Sequence, residues 1–194
     1  MNFLAHLYLS DGSDEGLLGS LMGDFVKGPI GERYPPGISR GIALHRRVDT
    51  FTDAHELVRR SKARVSAQRR RFAGIMVDMF YDHFLARDWA RFSTEPLPSF
   101  TRRTYALLAV HRERLPERLQ RISAYMIQGD WLGSYARVEA IGDSLDGVGR
   151  RLRRENPLQD SVEELRRHYD DLAADFHAFM PQLIAFARER HAGG

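Results

Sequence analysis

An all-α fold, in one domain covering residues 1–194, is what this chain predicts, and three observations carry the expectation. Apolar residues recur at i, i+3, i+4 and i+7 through many windows, while few alternate with period two. The 194 residues, 43% hydrophobic and 28% charged, can bury one substantial core. Helix-starting and helix-stopping residues punctuate the periodic windows, and no internal repeat, phosphate-binding glycine loop or nucleophile elbow interrupts them.

The elements follow in order. Phe3 to Leu9 predicts a short helix stopped by Ser10, Asp11 and Gly12. A second helix starts after Ser13, with Asp14 and Glu15 in its first turn, and closes at Gly28, Pro29 and Gly31. Leu17, Leu18, Leu21, Met22 and Phe25 form its apolar face, and Asp24 projects at the edge of that face beside Leu17. The loop GERYPPG leads into GIALHRRVDTFTDAH, residues 41–55, where His45 and Asp49 lie one turn apart on a helix, bordered by Leu44 and Val48. That helix is expected to bend or end between Thr50 and Asp53. Asp53 would then cap a basic helix running from about Ala54 to Arg71, with Glu56 completing a capping box.

The next segment, FAGIMVDMFYDHFLARDWARF, places Asp78 and Asp82 together on a helical wheel, with His83 about 100° away. Ile75, Met76, Val77, Met79, Phe80, Tyr81, Phe84 and Leu85 fill the rest of the circumference, so the helix is expected to be buried. After the Pro-rich connector STEPLPS come helices over Thr101 to Arg114 and Pro116 to Gln128. The glycine-punctuated stretch from Gln128 to Leu152 suits a lid, a docking surface, or short helices joined by turns. A final helix runs from Ser161 towards Arg190, with a kink expected at Pro181.

Composition narrows the chemistry. With no cysteine there is no disulfide, thiolate zinc site or cysteine nucleophile, so any metal must use His, Asp or Glu. The N-terminal MNFLAHLYLSDGSDEG has no basic stretch, and its apolar run is broken by His6. It fits neither a signal peptide nor a membrane span, and a cytoplasmic location is expected. The net charge is +3, but arginine is clustered at Arg59 to Arg64, Arg69 to Arg71 and Arg150 to Arg154, which suggests a polyanionic partner or an acidic protein surface.

Burying two carboxylates a turn apart costs several kcal/mol unless cations or a shared proton compensate. Arginine partners would serve. The other unusual residues upstream are Asp and His, however, a set that suits a hard or borderline divalent ion. His45 and Asp49 also have an ordinary structural account as an exposed i,i+4 pair, while His111, His168, His177 and His191 lack acidic partners in any repeated geometry.

MNFLAHLYLS, GSLMGDFVKG, GIALHRRVDTFTDAH and MFYDHFLARDW, in this order, resemble the acyl carrier protein phosphodiesterases, all-helical enzymes related to the HD phosphohydrolases with a rearranged motif order. The motifs cover the first half of the chain; the rest resembles the family in length and helical character. The resemblance implies a metal-dependent phosphodiesterase that removes 4′-phosphopantetheine from the serine of holo acyl carrier protein. Manganese is the usual metal, with magnesium or iron(II) as alternatives. It implies Asp24, His45 and Asp78 as ligands, and His83, Asp82, Asp49 and His6 as catalytic or orienting groups. Asp53 and His55 are further candidates, although Glu56 stands where the family pattern suggests proline. The motifs do not separate ligands from residues that orient ligands.

The chemistry agrees with that implication, because a bound divalent ion both activates water and neutralises phosphoryl charge, and a carboxylate or His83 can take the proton. Lys27 and Arg46 are candidate phosphate contacts. Arg59, Arg60, Lys62 and Arg64 are candidate contacts for an acidic carrier protein. Two competing accounts are an HD-type enzyme acting on a nucleotide and a basic helical module that binds nucleic acid. The second is disfavoured because the basic blocks lack interleaved aromatics for base stacking.

Overall fold

The structure, a computed structural model, describes residues 1–152 and 154–192. Eleven α-helices and three 3-10 turns, with no strand, account for its regular structure among the described residues. The helices are α1 (Phe3–Tyr8), α2 (Asp14–Met22), α3 (Pro36–Ala54), α4 (Glu56–Arg64), α5 (Ala73–Arg87), α6 (Leu97–Val110), α7 (Glu117–Gln128), α8 (Trp131–Ser134), α9 (Val138–Arg151), α10 (Val162–Arg167) and α11 (Tyr169–Ala192).

Ser13 opens α2 as expected, its hydroxyl accepting the N–H of Gly16 at 3.0 Å. The helix ends at Met22, earlier than the apolar pattern suggests, so Asp24 stands in the turn beyond it. Helices α2 and α3 lie side by side at backbone contact. A Cβ added to Gly19 would sit 2.8 Å from the Cα of Gly41, so only glycine at this crossing allows the helices to approach so closely. That approach carries the α3 side chains up to the end of α2.

Helix α5 runs through the middle of the core. Phe80, Tyr81 and Phe84 are fully buried, and Tyr81 meets Phe176 of α11 edge-to-face with centroids 5.5 Å apart. It is not apolar and buried all round, however: Ile75 is 39% exposed, and the side chain of Asp78 is 31% exposed. Asp82 is fully buried and serves α1. Asn2 provides no side-chain cap there, and the Asp82 carboxylate instead accepts the N–H groups of Leu4 at 2.8 Å and Ala5 at 3.0 Å.

Two further boundaries differ from expectation. The basic helix stops at Arg64 because Val65 is extended, and its cap is the His55 ring accepting the N–H of Leu57 at 3.3 Å; Asp53 instead pairs with Lys62 at 2.8 Å. The last helix is broken at His168 (φ −115°, ψ 25°), where the turn sends the Tyr169 hydroxyl towards α5, and Pro181 lies inside a continuous α11. No described helix is long and apolar enough to cross a membrane.

Candidate metal centre

Three local decisions of the chain meet at one point. Helix α1, held at its N-terminus by Asp82, delivers His6. Helix α3 delivers His45 and Asp49 from successive turns, and the turn after α2 delivers Asp24. His6 Nε2 lies 3.1 Å from one oxygen of Asp49, His45 Nε2 lies 3.2 Å from the other, and His45 Nε2 is also 3.4 Å from Asp24. The two imidazoles stack with centroids 3.6 Å apart and planes inclined by 13°. One donor atom each from His6, His45 and Asp49 lie within 4.8 Å of one another, as a shared ion requires.

The carbonyl of Ser20 lies 2.7 Å from His45 Nδ1 and can only accept, so Nδ1 carries a proton and Nε2 is turned towards Asp24 and Asp49. His45 Nε2 and both nitrogens of His6 are buried with no aligned hydrogen-bond partner, although carboxylate oxygens of Asp24 and Asp49 lie 3.1–3.4 Å from the two Nε2 atoms. Two imidazoles and carboxylates form a donor set suited to a borderline divalent ion, so these residues fit the metal the sequence implies.

The charges agree. Burial, helped by the neighbouring His45, lowers His6 to about 4 against the pull of Asp49, so its imidazole is neutral at pH 7. Burial also disfavours the His45 imidazolium, but Asp24 and Asp49 outweigh it and raise the group to about 9. Asp49 resists burial because the two histidines hold it well below the usual carboxylate range, and His45 holds Asp24 down in the same way. With no ion between them, the His45 proton is the cation of the cluster.

The structure treats the remaining expected residues differently. Asp78 reaches the site through the α-amino group of Met1, 3.1 Å from Asp78 and 3.4 Å from Asp49. Asp82 does not join the donor group: both its oxygens hold α1, and burial raises it to about 7 despite those two N–H bonds. His83 does not join it either, since Nδ1 donates to the Tyr135 carbonyl at 2.9 Å and Nε2 accepts the Tyr169 hydroxyl at 2.8 Å. Lys27 and Arg46 border a recess of about 420 Å³ that also touches Asp24, His45 and Asp49. Arg46 pins the rim of this recess by donating to the carbonyls of Val26 at 2.7 Å and Gly28 at 2.9 Å.

The block expected to grip a partner is largely engaged within the fold. Arg60 pairs with the buried Asp175 of α11, Arg64 lies 3.3 Å from Asp175 and 3.1 Å from Asp171, Lys62 holds Asp53, and Arg59 donates to the Ala54 carbonyl. The charge run gave no sign of this for Arg60 and Arg64, because the carboxylate they share lies more than a hundred residues on. Two positioning contacts were also invisible: the Ser20 carbonyl, and Gly23, where a Cβ would lie 2.6 Å from His45 Nδ1.

Comparison with known proteins places the chain in a family. The family model for acyl carrier protein phosphodiesterase matches residues 1–183. The chain is 39% identical over 192 residues to the acyl carrier protein phosphodiesterase of Yersinia enterocolitica, covering 98% of this chain and 99% of that one. It is 38% identical over 191 residues to the protein of that name from Photorhabdus laumondii, covering 98% and 96%. No solved structure matches. His6, Asp24, His45 and Asp49 thus converge within a chain that belongs, over nearly its whole length, to the acyl carrier protein phosphodiesterase family.

Proposed function

We propose that this protein is a metal-dependent phosphodiesterase that hydrolyses the bond between 4′-phosphopantetheine and the serine of holo acyl carrier protein, releasing the apo carrier. Family membership over residues 1–183 supports the reaction. The observation that supports the metal is the convergence of the buried His6 and His45 ring nitrogens, without aligned hydrogen bonds, on the carboxylates of Asp49 and Asp24. These four residues are the proposed ligands, with Asp78 adjoining from the solvent side and manganese as the first candidate ion.

A divalent ion bound there supplies an activated water at neutral pH and offsets charge on the phosphoryl oxygens. The protein supplies the rest. Asp24 and Asp49 stay ionised and keep the pocket negative for a cation. Asp78, partly exposed and paired with the Met1 α-amino group, is the proposed acceptor of a proton from the incoming water. Lys27, on the recess bordering the cluster, is the proposed contact for a phosphate oxygen. Asp82 and His83 act from behind, fixing α1 and the Tyr135 and Tyr169 segments. The carrier-protein substrate proposed here supports a cytoplasmic location.

Mass spectrometry of holo acyl carrier protein incubated with the enzyme tests this proposal. Loss of the phosphopantetheine mass in Mn2+, suppressed by EDTA and restored by adding Mn2+ back, is expected. A holo carrier that stays intact under all conditions, or turnover undiminished after exhaustive chelation, contradicts it.

A further inference from the structure

A cleft of about 940 Å³ opens beside the metal centre, with Asp24 and Asp78 in its lining. Part of its lining is apolar: Phe3, Phe25, Ile75, Met79, Trp131 and Val148. Among the described residues Ile75, at 39% exposure, is one of the few large aliphatic side chains left open to water, and it lies on the core helix α5. Arg118 and Arg121 of α7, Arg137 before α9, and Arg150 and Arg151 at its end also line this cleft, and all five are exposed. Among the described residues, Arg137, Arg150 and Arg151 have no carboxylate at ion-pairing distance, and Arg118 lies over the Phe25 ring at 5.8 Å. Arg121 pairs only with the exposed Glu117. Against these five cations the cleft lining holds three acids, of which Asp24 and Asp78 belong to the metal centre and its border and Asp143 stands apart from it. The contrast with Arg60 and Arg64, which are held by a buried aspartate, is direct.

We propose that this cleft is where holo acyl carrier protein docks: the trough between α5, α7 and α9 cradles the pantetheine arm, and the arginine rim engages the carboxylates of the acidic carrier. The inference rests on the phosphodiesterase function proposed above. The scissile phosphate must reach the metal while two very different substituents leave it. The arm is a thin chain carrying methyl groups and amides, and an apolar trough whose volume falls in the usual range for ligand sites suits it. The other substituent is an acidic protein surface, for which free guanidinium groups are the matching donors. Gly147 leaves the trough open. A Cβ there would meet only the Arg150 side chain at 3.8 Å, so a larger residue would point into the space assigned to the arm.

Steady-state kinetics on holo carrier protein, with apo carrier protein as a product inhibitor, tests both halves. Arg150→Glu with Arg151→Glu should raise KM for holo carrier and the inhibition constant of apo carrier about tenfold at low salt, with kcat little changed and the salt dependence flattened. Arg188→Glu with Arg190→Glu, an equal change in charge at residues that do not line the cleft, should leave KM unchanged. Gly147→Leu replaces a poor helix former with a good one inside α9. It should reduce kcat/KM for holo carrier at least tenfold while apo carrier, which lacks the arm, inhibits it as it does the wild type. An unchanged KM in the Arg150/Arg151 variant overturns the rim, and weakened apo-carrier inhibition or unreduced kcat/KM in Gly147→Leu overturns the trough. Failure of the wild type itself to release phosphopantetheine overturns the underlying function and this inference with it.

Discussion

The Asp82 carboxylate accepts the backbone N–H of Leu4 at 2.8 Å, across 78 residues of sequence. With the second bond to Ala5, this contact terminates α1 where no local cap exists, and it sets the position of His6 one residue further on. Asp82→Ala should therefore destabilise the protein by about 2 kcal/mol, because two buried donors lose their acceptor while the cost of burying the carboxyl group is relieved. It should also weaken Mn2+ binding although no ligand is removed. Urea unfolding and calorimetric Mn2+ titration check this, and a variant with wild-type stability and affinity would show that α1 is held by other means.

Gly23→Ala tests how closely the backbone supports His45. The added methyl would lie 2.6 Å from Nδ1, so the ring must leave its bond to Ser20 and its alignment with Asp24 and Asp49. Loss of such an orienting contact is expected to lower Mn2+ affinity about ten- to a hundredfold with the circular-dichroism spectrum unchanged. Wild-type affinity would show that His45 can shift without consequence.

The pH dependence of metal binding has a definite sign. His45 is raised from 6.5 to about 9 in the metal-free fold, so the stability it contributes is full below about pH 6.5 and is lost as pH rises through 9. His6 is depressed to about 4, so its contribution is full above about 6.5 and is lost as pH falls towards 4. Between pH 6.5 and 9 His6 is neutral and ready to ligate, and the ion replaces the His45 proton. The gain in Tm on adding Mn2+ should grow steadily across that range in thermal scans. A gain that is flat or declines with pH would contradict the assignment of His45.

Asp175 is expected to matter for stability rather than for substrate. It is buried and joined to Arg60, Arg64 and the Ser61 hydroxyl, the last at 2.9 Å. Asp175→Ala should cost about 3 kcal/mol by leaving these partners without their shared acceptor. KM for holo carrier protein should not change. A shift in KM with unchanged unfolding midpoint would return the α4 arginines to the docking surface.

Much of this arrangement was legible in the sequence. Ser13 followed by Asp14 and Glu15 marked a helix start, the i,i+4 spacing of His45 and Asp49 put both on one edge, and the apolar circumference of α5 marked the central helix. The illegible part lay in contacts between distant segments. Asp78 and Asp82 share a face of α5, yet one turn separates a residue that meets the N-terminus of α1 from one that opens on the cleft. The wheel shows their common direction, not what each will face. Asp24 reads as helical on its apolar neighbours, but α2 ends at Met22 and releases it towards His45. The arginines of α4 read as a solvent-facing run because their acceptor, Asp175, is 115 residues from Arg60.

The most direct test of the central claim is an electron paramagnetic resonance titration of free Mn2+ against the wild type, His6→Ala and His45→Ala. The wild type should take up Mn2+, and each variant should bind it at least about tenfold more weakly. Equal uptake by the wild type and both variants would contradict a metal centre built on His6 and His45.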